Sequence, residues 1–185
     1  MCGIVAYLGP KPAFPILIDG LKRLEYRGYD SAGVAIIEST KAEPSKLVIR
    51  KKKGKVKDLL THVGKEKLLG NVGIGHTRWA THGPPNDLNA HPHRASKGRI
   101  AIIHNGIIEN SDKLKDEYIK KGYSFKSQTD TEVITVIFTD FLKSEDLINC
   151  IYKTLEKLEG SFALGVIFKD FNNVVVGARR GSPLA

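Results

Sequence analysis

The chain has 185 residues, of which 41% are hydrophobic and 26% charged, an ordinary composition for one globular domain. Its two cysteines, Cys2 and Cys150, are too few for a disulfide framework, and no apolar run approaches the roughly 18 residues of a membrane span, so we expect a cytoplasmic protein without a membrane partner. The net charge of +9 would suit nucleic acid, but the densest basic run, residues 50–57, has no aromatic side chains to stack on bases. We expect a solvated loop there and no nucleic-acid partner, with nucleic-acid binding as a weak alternative.

The predicted elements follow the chain as strands, then helices, then strands. Leu17, Leu21 and Leu24 recur at helical spacing and predict a helix over residues 13–25. The predicted strands are residues 4–8, 33–37, 47–51, 72–77, 99–104, 162–168 and 174–178. Further helices are expected from residue 56, around residues 114–119, after a capping-box pattern at 129–132, and from about residue 144. This order favours an α+β fold of sheets covered by helices over a doubly wound parallel sheet.

The first five residues suggest a nucleophile. Removal of Met1 would leave Cys2 with a thiol and a free α-amine, whose reference pKa of about 7.7–8.0 allows it to act as a base near neutrality. A nucleophile paired with its own terminal amine is an established catalytic arrangement. Gly3 would leave space for a substrate beside the sulfur, and a buried strand 4–8 would hold the nucleophile. The alternative is that Cys2 is an ordinary residue of the first strand.

A loop rich in functional side chains follows the strand at 72–77. Arg78 offers a planar fork suited to a carboxylate, and Thr81 and His82 add donors and acceptors beside Trp79, the only tryptophan. Ordered loops on a rigid scaffold are where binding residues concentrate. The alternative is that Trp79 plugs the core while Arg78 pairs with a structural acid.

Two further sites complement this loop. Asn105 and Gly106 end a predicted strand and could present two donors to one oxygen, as an oxyanion hole does, although Asn-Gly is also a common sharp turn. Asp130, at a predicted helix start, could bind an ammonium group or act only as a helix cap. A nucleophile, an oxyanion hole, a carboxylate-binding Arg and an ammonium-binding Asp together fit one substrate, glutamine.

The histidines do not indicate a metal site. The chain has six, and His91 and His93 could share a face. However, zinc needs three or four convergent ligands, and the sequence has neither a cysteine pair nor an H-E-x-x-H motif. We therefore expect no metal and no cofactor, and we expect Cys150 to serve packing within its helix.

Several long motifs resemble one family. These are residues 1–5, 23–33, 76–83, 89–93, 104–110 and 129–132. They resemble the glutamine:fructose-6-phosphate aminotransferases, which are class II glutamine amidotransferases. The resemblance implies a four-layer αββα sandwich of the N-terminal-nucleophile hydrolase type. It also implies that residues 1–185 are a glutaminase domain that is incomplete at its C-terminus, and that the sugar-isomerase domains, which bind fructose 6-phosphate, lie outside this chain.

The resemblance also implies roles for the central residues. Cys2 would attack the side-chain amide of L-glutamine, with Asn105 and Gly106 as the oxyanion hole. Arg78 would hold the substrate carboxylate and Asp130 its ammonium group.

The remaining implied roles concern the surroundings. Thr81 and His82 would complete the pocket, the loop around Trp79 would close over glutamine and gate ammonia, and Arg27 and Gly28 would lie near the nucleophile. The full-length protein could be a homodimer. Two alternatives remain open: an amidotransferase domain that serves a different acceptor, and a non-catalytic amino-acid-binding domain in which Cys2 is inert.

Overall fold

The computed structural model describes residues 2–39, 44–80 and 82–184. The strands are β1 (Gly3–Leu8), β2 (Ser31–Glu38), β3 (Lys46–Lys53), β4 (Val72–Arg78), β5 (His93–Ala95), β6 (Ile100–Ile108), β7 (Gly160–Phe168) and β8 (Phe171–Arg180). The helices are α1 (Ala13–Leu24), α2 (Val56–Val63), α3 (Ser111–Lys120), α4 (Thr131–Phe141) and α5 (Leu147–Lys157). None of these helices combines the length and the apolarity that a membrane crossing requires.

The strands form two antiparallel sheets of four strands each. The first has the order β1-β4-β2-β3, and the second has the order β5-β6-β7-β8. Helices α1 and α2 pack on the outer face of the first sheet, and α3, α4 and α5 pack on the outer face of the second. The α+β class and the four-layer αββα sandwich are thereby confirmed.

An aliphatic layer joins the two sheets. Its buried members are Ala35, Ile37, Leu47, Val72, Ile74, Ala101, Ile103 and Ile167. Because side chains alternate along a strand, the residues two positions beyond Ile74 and Ile103 face the same layer. These are His76 on β4 and Asn105 on β6, so the fold aims both at the space between the sheets.

The basic run is not the loop that the sequence predicted. Residues 50–53 continue β3, and α2 begins at Val56. The charges are tolerated at this edge of the sheet because acids neutralise them: Arg50 pairs with Glu66 at 2.5 Å, and Lys52 pairs with Asp87 at 2.8 Å.

The positions of the outer strands also differ from prediction. Residues 4–8 were expected to be buried and residues 174–178 to be interior, but β1 and β8 are the end strands of their sheets in the described chain. Val5 and Tyr7 are accordingly only partly buried. Local hydrophobicity could not reveal this, because strand order is set by pairing between distant segments.

Helix α4 begins without the predicted capping box. Its N-cap residue is Asp130, whose side chain makes no capping bond. The Glu132 carboxylate instead accepts hydrogen bonds from the backbone N–H groups of Lys126 and Ser127. The side chain of Asp130 therefore remains available for another contact.

Candidate functional site

Cys2 lies against the C-terminal end of β4. The backbone N–H of Trp79 donates a hydrogen bond to Cys2 Sγ over 3.3 Å. Burial raises the pKa of the Cys2 thiol, and the hydrogen bond from Trp79 offsets this only in part. The thiol is therefore protonated near neutral pH and needs a base before it can attack. Met1, whose removal would free that base, lies outside the described residues.

Gly3 is required by the packing of the elements around β1. A Cβ added there would lie 2.6 Å from Leu24 Cβ and 2.7 Å from Thr77 Oγ1. The missing side chain lets α1 and β4 approach β1 closely. Gly3 also lines the larger cavity beside Cys2, so the expectation that it leaves space for a substrate stays a prediction.

Two cavities meet at Cys2. The first has a volume of about 20 Å³, and its lining includes Arg78, His82, Gly106 and Asp130. That volume suits about one water molecule, so the site is closed. The second has a volume of about 190 Å³, and its lining includes Arg27 and Asn105. Cys2 thus shares one cavity with Gly106 and the other with Asn105, the two predicted oxyanion donors.

Asn105 and Gly106 lie within β6 and not at its end. The strand continues to Ile108, which excludes the sharp-turn alternative. Gly106 has a φ of +129°, and a Cβ there would lie 2.1 Å from the carbonyl oxygen of Ser161. Only glycine fits this conformation and this close approach.

Arg78 holds the loop that covers the site. Its side chain is buried, and its guanidinium donates hydrogen bonds to the carbonyl oxygens of His82, Gly83 (3.3 Å) and Pro84 (3.5 Å). In the described chain these bonds go to carbonyls, so the alternative of a structural acid partner is not supported. Thr81, predicted to complete the pocket, lies outside the described residues.

Asp30, in the turn before β2, bonds to the backbone at the start of the same loop. The Asp30 carboxylate accepts a hydrogen bond from the backbone N–H of Ala80, and the Asp30 N–H donates to the Arg78 carbonyl at 3.1 Å. Gly28 lies directly beneath, since a Cβ there would lie 2.8 Å from the carbonyl carbon of Arg78. The sequence interpretation missed Asp30, although it lies within the motif at residues 23–33.

Trp79 does not plug the core. Its side chain is 48% exposed, and its ring packs edge-on against Tyr29 with centroids 5.5 Å apart. The core-plug alternative is therefore wrong. The tryptophan lies at the outside of the loop, next to the nucleophile.

Asp130 faces the small cavity. It is buried, and its Oδ2 atom accepts a hydrogen bond from the backbone N–H of Ile108 at 2.9 Å. Its Oδ1 atom lies 3.8 Å from His104 Nδ1. The carboxylate is thus held by β6 and does not cap α4, which leaves it free to meet a cationic group.

Sequence reasoning missed a group of four buried histidines, His76, His91, His93 and His104, which we call the histidine cluster. The rings of His76 and His91 stack at 4.2 Å, and those of His91 and His93 meet edge-on at 4.7 Å. Thr131 Oγ1 lies 2.8 Å from His91 Nε2 and 2.9 Å from His104 Nδ1.

Electrostatics keep this cluster neutral. Burial lowers the pKa of all four histidines, that of His76 to about 3. Within the described ranges, no three His, Cys, Asp or Glu side chains converge as metal ligands.

Cys150 is buried in α5, with its Sγ 3.6 Å from the Phe138 carbonyl oxygen, and burial raises its thiol pKa to about 11. It therefore serves packing.

A profile of a known family, described as "Glutamine amidotransferase domain", matches residues 76–181. The chain belongs to this glutamine amidotransferase family. The matched range contains the loop of Arg78, the strand of Asn105 and Gly106, and Asp130.

Similar proteins from this family cover the whole chain. The glutamine–fructose-6-phosphate aminotransferases [isomerizing] of Caldanaerobacter subterraneus subsp. tengcongensis and Aquifex aeolicus are each 50% identical to it over 184 residues. The alignments include 100% of this chain but only 29% and 30% of those proteins. The chain therefore spans less than a third of the length of these relatives.

Solved amidotransferase structures share the fold. Glutamine phosphoribosylpyrophosphate amidotransferase from B. subtilis, complexed with ADP and GMP, superposes with a TM-score of 0.75 at 28% identity, over 91% of this chain and 35% of that one. A structure described as the allosteric regulatory enzyme of purine biosynthesis gives 0.77 at 29% identity, over 91% and 36%. These likenesses support the assignment to the N-terminal-nucleophile type.

Proposed function

We propose that this chain is the glutaminase part of a glutamine–fructose-6-phosphate aminotransferase and that Cys2 hydrolyses the side-chain amide of glutamine. The observation that carries the proposal is that Cys2 lines one cavity with Arg78, Gly106 and Asp130 and an adjoining cavity with Asn105. A nucleophile, two oxyanion donors and one charged group for each end of an α-amino acid lie within one small region.

The chemistry begins with a proton transfer. After removal of Met1, the α-amine of Cys2 takes the thiol proton, and Sγ forms a bond to the amide carbon of glutamine. The carbonyl electrons move to oxygen, where the side chain of Asn105 and the N–H of Gly106 stabilise the negative charge. The C–N bond then breaks, and the nitrogen leaves as ammonia with the proton from the α-amine. Water hydrolyses the thioester, which releases glutamate and restores the thiol.

Substrate binding requires the loop to open. The cavity of about 20 Å³ cannot hold glutamine, and the carbonyls of residues 82–84 occupy the Arg78 guanidinium. A substrate carboxylate would replace these neutral acceptors with a charged, bidentate one, which is the stronger interaction. Asp130 would then bind the ammonium group.

The remaining predicted residues surround this centre. Thr81 and His82 would complete the pocket, and Trp79 would gate the release of ammonia. Arg27 and Gly28 support the proposal by position, since Arg27 shares the larger cavity with Cys2 and Gly28 lies under the loop.

The acceptor would be fructose 6-phosphate, bound outside this chain. The 50% identity to two aminotransferases that carry this sugar in their names favours it over other acceptors, since the phosphoribosylpyrophosphate enzyme is 28% identical. A homodimer of the full-length protein and a cytoplasmic location remain predictions. In a purely amino-acid-binding domain, Asn105 and Gly106 would have no oxyanion to stabilise.

Intact-mass analysis tests the proposal directly. The purified protein should lack Met1 and should gain one adduct, mapped to Cys2, on treatment with an electrophilic analogue of glutamine. Cys2→Ala should abolish both the adduct and the release of glutamate. Cys150→Ala is the matched control and should retain both, because Cys150 is packed within α5. Turnover that survives in Cys2→Ala, or an adduct on Cys150, would contradict the proposal, and turnover with Met1 still attached would exclude the α-amine as the base.

A further inference from the structure

One hydrogen bond crosses from the sheet of the nucleophile to the sheet of the oxyanion hole. His76 Nε2, on β4, lies 2.8 Å from the carbonyl oxygen of His104, on β6. Elsewhere the layer between the sheets is lined with aliphatic side chains. This bond is therefore a polar, directional link in a layer that packs through nondirectional contacts.

The protonation of the ring follows from its surroundings. His76 is fully buried, which lowers its pKa to about 3, so the imidazole is neutral and carries a single N–H. A carbonyl oxygen can only accept, which places that hydrogen on Nε2. His76 Nδ1 has no hydrogen-bond partner among the described residues. The bond to His104 is thus the polar contact that this buried ring makes.

The acceptor of this hydrogen bond, the His104 carbonyl, lies directly before Asn105 on β6. The His104 carbonyl belongs to the same peptide unit as the N–H of Asn105, so the bond fixes the plane from which Asn105 projects. β5 pairs with β6 only over Ile100–Ile102, so beyond that point β6 has a strand neighbour on one side only. His76 supplies a donor to this less supported part of the strand.

The donor is equally close to the nucleophile. In the pairing of β1 with β4, His76 lies opposite Ile4, and Thr77 lies opposite Gly3, the residue after Cys2. One imidazole ring therefore ties the start of β1, through β4, to the peptide before the oxyanion hole.

We propose that His76 is a positioning residue, which holds the Asn105–Gly106 segment at the correct distance from the Cys2 thiol. The inference rests on the proposed glutaminase function. His76 touches neither cavity at Cys2, so it acts through the backbone of β6 and not on the substrate.

Three variants separate the hydrogen bond from the bulk of the ring. His76→Leu removes the donor, and His76→Asn keeps an amide that is too short to reach the carbonyl. Both should lower kcat for glutamine hydrolysis by roughly 10- to 100-fold and should change KM by less than about threefold. The loss of kcat is expected to be smaller than the roughly 10²- to 10³-fold loss that follows removal of an oxyanion donor itself. His76→Gln places an amide N–H near the position of Nε2 and should restore kcat to within a few-fold of wild type.

A second measurement separates oxyanion stabilisation from general damage to the pocket. The aldehyde analogue of glutamine adds the Cys2 thiol to its carbonyl carbon, with the thiol proton ending on the new hydroxyl oxygen, which occupies the oxyanion hole. Glutamate binds without forming this bond. His76→Leu and His76→Asn should therefore weaken inhibition by the aldehyde at least tenfold and should leave inhibition by glutamate nearly unchanged.

His93→Leu and His93→Gln are the matched controls. His93 belongs to the histidine cluster, but its Nε2 lies 3.1 Å from Thr129 Oγ1, and its backbone pairs with β6 at Ile102, before the Asn105–Gly106 segment. These variants should lower the melting temperature without the selective loss of aldehyde affinity.

Each outcome decides the inference. Equal losses of aldehyde and glutamate affinity, wild-type kcat in His76→Asn, or failure of His76→Gln to restore kcat would overturn the positioning role. If the wild-type protein binds the aldehyde no better than glutamate, the proposed function fails and the inference falls with it.

Discussion

At the residue scale, Asn105 is the side chain on which the rate should depend most directly after Cys2. Asn105→Ala removes one oxyanion donor and should lower kcat by roughly 10²- to 10³-fold with little change in KM, as measured by glutamate release. Asn110→Ala is the matched control, because the Asn110 side chain bonds the Lys157 carbonyl and the Glu159 N–H, and its loss should affect stability without lowering kcat. If kcat falls by less than threefold in Asn105→Ala, the Asn105 side chain is not an oxyanion donor.

The same scale shows where sequence reasoning reached its limit. The chemistry of Cys2 and Arg78 can be inferred from residue type, because a thiol or a guanidinium has few uses in such motifs. The role of His76 cannot, because it depends on a carbonyl 28 positions away in the other sheet. Nor does a glycine reveal its neighbours: the sequence suggested space beside the sulfur at Gly3 but could not show that Leu24 and Thr77 pack against it.

At the element scale, the loop that follows β4 is held by the side chains of Arg78 and Asp30. Arg78→Lys replaces a planar fork with a single ammonium group, which cannot bind a carboxylate in bidentate fashion. We expect KM for glutamine to rise at least tenfold, with a smaller effect on kcat, in steady-state assays. Lys52→Met is a control at the exposed edge strand and should leave KM unchanged, since the Lys52 ammonium pairs with Asp87 at the surface. An unchanged KM in Arg78→Lys would remove Arg78 from substrate binding.

Elements were predictable to different degrees. Each predicted strand and helix has a counterpart, because apolar periodicity and β-rich runs are local signals. β5 was missed because three residues carry too short a pattern. The extension of β3 into the basic run was missed because its neutralising acids, Glu66 and Asp87, lie outside the run.

At the scale of the whole molecule, the neutral histidine cluster should make the fold sensitive to acid. The pKa of His76 falls to about 3, and those of His91 and His93 lie well below the usual 6.5, because all three are buried. Below pH 6.5 the unfolded chain binds protons that the folded chain does not, so stability falls as the pH falls. At pH 5.5 each histidine should lower the free energy of unfolding by roughly 1 kcal/mol, and the three together by a few kcal/mol.

Urea unfolding at pH 7.5 and pH 5.5 measures this loss. His93→Leu should reduce the difference in the free energy of unfolding between the two pH values by roughly 1 kcal/mol, because one titrating group is removed. Leu69→Ala removes an exposed side chain that does not titrate and should leave the difference unchanged. Equal stability at the two pH values would show that the cluster can charge without unfolding.

The placement of Trp79 also has a spectroscopic consequence. The chain has one tryptophan, and it lies half exposed on the loop over the nucleophile, against the edge of Tyr29. Intrinsic tryptophan emission therefore reports the local environment of this loop and not the packing of either core. A glutamine titration can follow the opening and closing of the loop without any label. If the loop is released before the sheets unfold in denaturant, the transition followed by tryptophan emission would come at a lower denaturant concentration than the transition followed by far-ultraviolet circular dichroism.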